Sequence, residues 1–484
     1  MLLPAALLLA IPCGCDEPGD ARPLAIVASG DMNGWIVPCG CASNQSGGLP
    51  RRGNYVAEAR EQADVLLVDV GGAPGGTSLY DLLRFEAALR GEAAMGVVAH
   101  NLGAAELALG PKRLRRLSEN ADTSWLSANV FDRAGELLAQ PCLTLEAGGR
   151  RVTVVGVVAP RYATADLEVT GPRQAILDAT SKAGPADLLV VLAYLPEDEL
   201  RELAELLPEA DLVVGGPTGQ PIAPRQVGPV LLASATNQGK FLARFDVPAG
   251  PGHLAGRIDE LDERYGDDPV QTANLRRFYD ELERRDVAAA QTAYAANLPD
   301  DLPRGFAVAG TDRCRECHAV DYRSWSTSRH AVAWDSLTPT RAHTNPACQR
   351  CHSTGYGMPG GFASLGRSPW RRGVGCESCH GPSLAHADDP AERTAYFAQA
   401  ASHCVVCHDR ENSPDFEYET YWDRIRHGET PATAPRPDPN KTIVFAGYRG
   451  LSQLPWDGAE SSNESSDMPP QWYYPLRRGQ EVEP

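Results

Sequence analysis

The 484 residues are enough for two or three domains with their own cores. A formal net charge of -18 and a pI near 5.1 exclude nucleic acid and anionic lipid as main partners, and suit a basic protein partner instead. Of the 13 cysteines, eight fall in one repeated pattern near the C-terminus, and Cys13, Cys15, Cys39, Cys41 and Cys142 lie outside it.

Residues 1–11 (MLLPAALLLAI) form an apolar run with the length of a signal-peptide core, too short to cross a bilayer. PCGCDEP follows, where Cys13 or Cys15 stands as a lipid-attachment candidate, and Gly14 favours Cys15. A start without Lys or Arg and the presence of Pro12 speak against lipidation, so anchoring stays open. Residues 1–22 are therefore read as a signal peptide or lipoprotein leader, and the expected location is the periplasm or cell surface. Any membrane attachment is expected at that N-terminal tip alone.

Through residues 23–250, apolar runs rich in Val, Leu and Ile recur at 24–27, 65–70, 152–158, 188–192, 212–214 and 230–232. Amphipathic stretches such as 53–61 and 196–207 lie between them. Short β-branched runs alternating with helical ones predict a layered α/β domain whose strands are buried on both faces. PCGC (38–41) invites four readings of Cys39 and Cys41: a structural disulfide, with Cys142 as one candidate partner, a redox pair, a soft-metal site with Asp31, or a haem-facing thiol pair.

The segments ASGDMNG (28–34), GGLPRRG (47–53), LLVDVGG (66–72), LGAAELALG (102–110), LSANV (126–130), VVGGPTGQP (213–221) and GKFLARFDV (239–247) resemble the calcineurin-like metallophosphoesterase domain of bacterial 5′-nucleotidases. The resemblance implies a sandwich fold and a two-metal site for phosphoryl hydrolysis. The ligand pattern it implies is broken here. Asp31 remains, but Asn33, Gly72, Ala104, Ala105, Pro217 and Gly219 stand at metal-ligand positions, as does Ala193 or Tyr194. Glu106 survives, while His100 and His253 match no ligand position. The domain is expected to be catalytically silent, because scaffold similarity does not carry activity without a site.

Residues 251–305 read as a connector. Leu275, Phe278, Tyr279 and Leu282 recur at i, i+3, i+4 and i+7, which predicts a helix with one apolar face, ended by NLPDDLPR at 297–304.

Residues 306–430 write C-x-x-C-H four times: Cys314, Cys317 and His318; Cys348, Cys351 and His352; Cys376, Cys379 and His380; Cys404, Cys407 and His408. This is the attachment signature of c-type haem, with two thioether cysteines and an adjacent histidine for the iron. A zinc reading would not require histidine after every second cysteine. Four covalent haems in about 125 residues leave too little chain for an ordinary side-chain core, so the porphyrins are expected to form the apolar interior. Five further histidines, His330, His343, His386, His403 and His427, are candidate second axial ligands.

The segment resembles the tetrahaem cytochrome c family of ammonia-oxidising bacteria (cytochrome c-554 type). The resemblance rests on AGTDRCRECH, DYRSWSTSRHAVAW (321–334), CHSTGYG (351–357) and GVGCESCHGPSLAH (373–386). It implies that His330 and His386 each ligate the iron of another motif, and that the second-motif haem is five-coordinate. His427 is the candidate for the fourth motif; His343 and His403 leave the vacancy open. Residues 431–484 read as a Pro-rich, polar tail.

The whole chain is thus expected to be a multihaem electron carrier between redox partner proteins, with a silent phosphoesterase-like domain for docking. The alternatives are an oxidoreductase acting on a small nitrogen or sulfur compound at a five-coordinate haem, and a phosphoesterase rebuilt around Asp31, Cys39, Cys41 and Glu106.

Overall fold

The computed structural model describes residues 22–38, 45–248, 252–397, 400–410 and 412–428. Cys13, Cys15, Cys39, Cys41 and the C-terminal tail lie outside the described residues.

Two six-stranded sheets form the front of the chain. The first runs in the order β14-β13-β1-β2-β3-β4, from β1 (Leu24–Ser29), β2 (Asp64–Asp69), β3 (Val97–Asn101), β4 (Ser124–Leu126), β13 (Phe241–Val247) and β14 (Ala255–Glu260). The second runs β11-β12-β10-β9-β7-β6, from β6 (Cys142–Ala147), β7 (Arg150–Val158), β9 (Leu188–Tyr194), β10 (Leu212–Gly216), β11 (Ile222–Val227) and β12 (Val230–Ser234). β5 (Val130–Asp132) and β8 (Leu167–Val169) make a separate two-stranded sheet. The inner strands pair in parallel and antiparallel strands sit at the margins.

Each central strand serves two cores. In β1 and β2, Ile26, Ala28, Leu66 and Val68 face the opposite sheet, while Val27 and Leu67 face helices. In β9, Val190 and Leu192 pack between the sheets and Val191 and Ala193 pack outward. The two-residue period of a strand makes this division. A sheet covered on both faces therefore needs continuous apolar runs, as the sequence supplies. α1 (Leu49–Gln62), α2 (Leu79–Met95), α3 (Ala104–Leu107) and α4 (Pro111–Glu119) cover the first sheet; α5 (Pro172–Ala183) and α6 (Glu197–Leu206) cover the second. The result is a four-layer α/β sandwich. β14 adds to the first sheet beyond residue 250, where the sequence reading ended this domain.

The expected connector helix is α7 (Pro269–Arg285), shorter than the sequence suggested. It ends at Asp286, which adopts a left-handed conformation (φ 46) with its N–H on the Glu283 and Leu282 carbonyls, well before residue 297. Its apolar face belongs to the sandwich: Leu275, Phe278 and Leu282 are buried against α1 and α2 residues such as Tyr55 and Tyr80, and Gln271 Nε2 donates to the Gly91 carbonyl at 3.1 Å.

Behind α7 the secondary structure becomes sparse: α8 (Thr311–Arg315), α9 (Ala319–Ser326), α10 (Pro346–His352), α11 (Cys376–His380), α12 (Leu384–Asp388) and α13 (Tyr418–Trp422), joined by single turns. No helix among the described residues is long and apolar enough to cross a membrane.

Because Phe278 is 1% exposed and joins α7 to the sandwich core, Phe278→Ala should lower unfolding free energy by about 3–5 kcal/mol. Denaturant midpoints followed by far-UV circular dichroism measure this. A loss below about 1 kcal/mol would mean that α7 is only loosely attached.

Candidate functional site

The four C-x-x-C-H motifs sit on α8 and the turn after it, on α10, on α11, and on the 3-10 segment Ala400–Val406 and the turn that follows. Three motif histidines face a second histidine from elsewhere in the chain. The ring centroids of His318 and His386 are 6.1 Å apart, those of His408 and His330 6.2 Å, and those of His380 and His427 6.0 Å. An iron bound by two imidazole nitrogens at about 2 Å each holds the ring centroids roughly 6 Å apart. The residues present therefore fit a metal held between paired rings. His427 stands against His380 of the third motif, not against the fourth motif as the sequence suggested; His408 of the fourth motif is matched by His330.

The ring orientations suit ligation. Nδ1 of His386 donates to the Glu392 carbonyl at 2.7 Å, that of His427 to the Ile425 carbonyl at 2.8 Å and that of His352 to the Ala333 carbonyl at 2.7 Å. A carbonyl only accepts, so each Nδ1 carries the proton and Nε2 is left to bind a metal. Burial pushes His330, His380 and His408 below the ordinary imidazole range, and for the first two the neighbouring histidines add to it. The neutral, metal-binding form is thereby favoured.

The remaining candidates are placed differently. His352 of the second motif has no histidine ring facing it among the described residues. His343 lies near Trp334, with centroids 6.5 Å apart, and its Nδ1 is buried without a hydrogen-bond partner. His403 stacks on Tyr396 at 4.1 Å.

The motifs also have an order in space. Cys314 of the first lies beside Cys376 of the third, and Cys351 of the second beside Cys407 of the fourth; Cys379 of the third lies near Cys404 of the fourth. First, third, fourth, second is thus the spatial sequence. Around them the protein packs few large apolar groups. Val308, Trp334, Leu337, Tyr356, Phe362 and Tyr396 are the buried ones from residue 306 on, whereas Val320, Val332, Trp370, Phe397, Val405, Val406 and Tyr418 are exposed. A surface of this kind fits porphyrin as the missing apolar partner.

In the front sandwich, the phosphoesterase-like positions converge but do not form a metal centre. Asp31, at the end of the β1 loop, meets the Tyr194 hydroxyl at 3.3 Å. Tyr194 projects from the end of β9 and fills the space between Asp31, Gly72 and Gly103. A Cβ on Gly72 would lie 2.7 Å from its ring and 3.0 Å from Asp31 Oδ1, and one on Gly103 would lie 2.8 Å from the same ring. Glu106 is fully engaged as a loop staple, accepting from the N–H groups of Gly72 (2.9 Å), Ala73 (2.8 Å) and Gly103 (2.9 Å). These residues do not fit a dinuclear metal site. Cys142, offered above as a disulfide partner, is a free, partly buried thiol.

Sequence reasoning missed His100. It lies on β3, wholly buried, with Nδ1 3.0 Å from Glu92 and 3.8 Å from Asp69, and Nε2 3.4 Å from Glu106. The ligand atoms of Asp69, Glu92 and His100 all lie within 4.8 Å of one another. Yet Asp69 already accepts from Ser29 Oγ (2.5 Å) and the Gly71 N–H (2.9 Å), with Arg52 at 3.8 Å. Burial would lower the His100 pKa, but the surrounding carboxylates override it and raise it well above the usual value. His100 thus sits enclosed among three carboxylates, with Nε2 lacking a hydrogen-bond partner. A lone histidine inside an apolar strand (VVAHN) is the only sequence signal it leaves.

Comparison with known proteins agrees with both halves. The family described as Cytochrome c554 and c-prime matches residues 313–381. Cytochrome c-554 of Nitrosomonas europaea is 30% identical over 125 residues, covering 23% of this chain and 53% of that protein, so the chain spans about half the length of this relative. The crystal structure of a 5′-nucleotidase precursor from Thermus thermophilus is 20% identical with a TM-score of 0.50, covering 56% of this chain and 61% of that one. The calcineurin-like phosphoesterase YfkN from Bacillus subtilis is 17% identical with a TM-score of 0.47, over 54% of this chain and 97% of that one. The front region has the metallophosphoesterase fold. The C-terminal segment is similar to cytochrome c554, a family that implies covalently bound c-type haem.

Asp31 carries a pH signature. Burial pushes its carboxyl up to about 6 from 3.8; the Tyr194 hydrogen bond opposes this, and Glu106 and Asp69 add repulsion. A raised carboxyl pKa contributes stability that is present below about pH 4 and lost as pH rises through about 6, roughly 3 kcal/mol in all. Asp31→Asn keeps the acceptor for Tyr194 and removes the titration. The stability difference between variant and native protein should therefore grow in the variant's favour from pH 4 to pH 7, as read by chemical denaturation at each pH. A difference independent of pH would show that Asp31 is ionised throughout.

Proposed function

We propose that the chain is an exported tetrahaem c-type cytochrome that carries electrons between redox partner proteins, in the periplasm or at the cell surface. The observation that carries this reading is the set of three histidine pairs at 6.0–6.2 Å, each joining a C-x-x-C-H histidine to a distant one. Cytochromes c of this kind are generally exported, and the acidic chain suits a basic partner.

A c-type haem supplies a one-electron iron couple. The chain's own residues would do the rest. Cys314 and Cys317, Cys348 and Cys351, Cys376 and Cys379, and Cys404 and Cys407 would hold four such groups covalently. His318, His352, His380 and His408 would be the proximal ligands. His386, His427 and His330 would be the distal ligands of the first, third and fourth. Carbonyl partners at Glu392, Ile425 and Ala333 orient the rings of His386, His427 and His352. The first–third–fourth–second adjacency supports a continuous route from one end of the segment to the other. Among the described residues of the front sandwich, Asp31 and Glu106 are engaged by Tyr194 and by backbone N–H groups, which supports a docking role over hydrolysis.

A second reading is favoured by His352, which has no facing histidine among the described residues. An iron there with an open position would suit an oxidoreductase of a small nitrogen or sulfur compound. The two readings share the haem complement and part on that one iron.

Intact mass and the pyridine haemochrome of the purified protein should give four covalent haems; fewer would sink the reading. His330→Ala, His386→Ala and His427→Ala should each convert one low-spin haem to high-spin in the electron paramagnetic resonance spectrum, a change that His403→Ala should not make. Spectra unaltered by the first three would show the pairs to be misassigned. Binding of CO or nitrite by the native reduced protein at one haem would favour the second reading, and a wholly low-spin, unreactive protein the first.

A further inference from the structure

The front sandwich touches the cytochrome segment at one motif in particular. Tyr80, on α2 and 1% exposed, donates its hydroxyl to Asn345 Oδ1 at 2.6 Å. The same oxygen accepts the Ala347 N–H at 3.1 Å, making Asn345 the N-cap of α10. α10 carries Cys348, Cys351 and His352, the whole second motif. The contact is reinforced around it. Arg350, inside the motif, lies 4.9 Å over the ring of Tyr294, which is itself 5.8 Å from the ring of Tyr80. Arg341 forms ion pairs with Asp280 (2.5 Å) and Glu283 (2.6 Å) of α7. No hydrogen bond joins α8 or α11, which carry the first and third motifs, to the sandwich among the described residues.

From this juxtaposition we infer that Tyr80 is a positioning residue for the second haem, and that the front sandwich acts as a clamp that sets the properties of that haem alone. The inference rests on the haem reading above. The physical chain is short. A buried phenol fixes the capping residue, the cap fixes the first turn of α10, and that helix aims two thioether cysteines and His352 in a fixed relation. Groups beyond the ligands of a metal orient those ligands and tune its potential, so a hydrogen bond two residues before Ala347 reaches the iron through the helix it caps. The second motif also stands at the end of the spatial series, beside the fourth. A clamp there would adjust the terminal haem and leave the other three to themselves. The sandwich would in this case be an integral part of the redox unit.

The test uses full-length holoprotein with Tyr80→Phe, which removes the hydroxyl and keeps the ring. Asn345→Ser is the second variant, since serine still caps the helix but is too short to reach Tyr80. Tyr55→Phe is the control: Tyr55 is a buried tyrosine that donates to Asp259 Oδ2 at 2.5 Å, within the sandwich. Haem content is counted first, so that a loss of the haem reading itself is distinguished from a loss of this inference. With four haems present, Tyr80→Phe and Asn345→Ser should each shift the midpoint potential and resonance signature of one haem in four, the one that His352 ligates, while Tyr55→Phe shifts none. Unchanged potentials in both variants would overturn the inference, as would an equal shift of all four haems, or the same shift in the Tyr55→Phe control.

Discussion

The C-terminal segment cannot hold itself together by side-chain packing. From residue 306 on, six large apolar side chains are buried among the described residues and seven are exposed. Its helices run five to eight residues, below the length at which a helix is stable without tertiary support. What organises it is the convergence of histidines from distant parts of the sequence. His318 meets His386, His330 meets His408 and His380 meets His427. Its short helices are joined by turns with positive φ at Gly310, Gly355, Gly357 and Gly373.

The front half shows the reverse situation, a fold held by its own side-chain packing. Its sheets preserve the two-sided burial that the architecture requires. At the mouth of the strands, Tyr194 fills the space between Asp31, Gly72 and Gly103, and Glu106 is bound by three backbone N–H groups. Beneath it lies an ion network of Arg52, Asp69, Glu92 and His100 that is closed to solvent. Several of its atoms, Arg52 Nη1 and Nη2, Glu92 Oε1 and His100 Nε2, are buried without a hydrogen-bond partner, so the cluster costs stability. α2 and α7 present an edge of the sandwich to the second motif.

Much of this could be read from residues. The six apolar runs became β1, β2, β7, β9, β10 and β12, because strands buried on both faces must be continuously apolar. The marginal β11 and β14 (IAPRQV and AGRIDE) gave no such signal, being half solvated. The i, i+3, i+4, i+7 face of α7 was legible, whereas its end was not, since Asp286 in a left-handed conformation is a weak sequence marker beside glycine. C-x-x-C-H carries its own chemistry in five letters, so four candidate attachment motifs were legible. The partners of those histidines were not. Which ring faces which depends on contacts across 47 to 78 residues of chain, and no local pattern distinguishes His427 beside His380 from His427 beside His408. Likewise, His100 disclosed its carboxylates only when β3 was set beside α2 and β2.

The central claim is that covalently bound porphyrin is the interior of the C-terminal segment and that the front sandwich folds on side chains alone. Hydrogen–deuterium exchange on a variant with all eight motif cysteines replaced by serine tests it most directly. The account predicts native-like protection throughout the two six-stranded sheets and exchange at unfolded-chain rates across residues 306–428. Protection of that segment equal to that in the haem-loaded protein would contradict it.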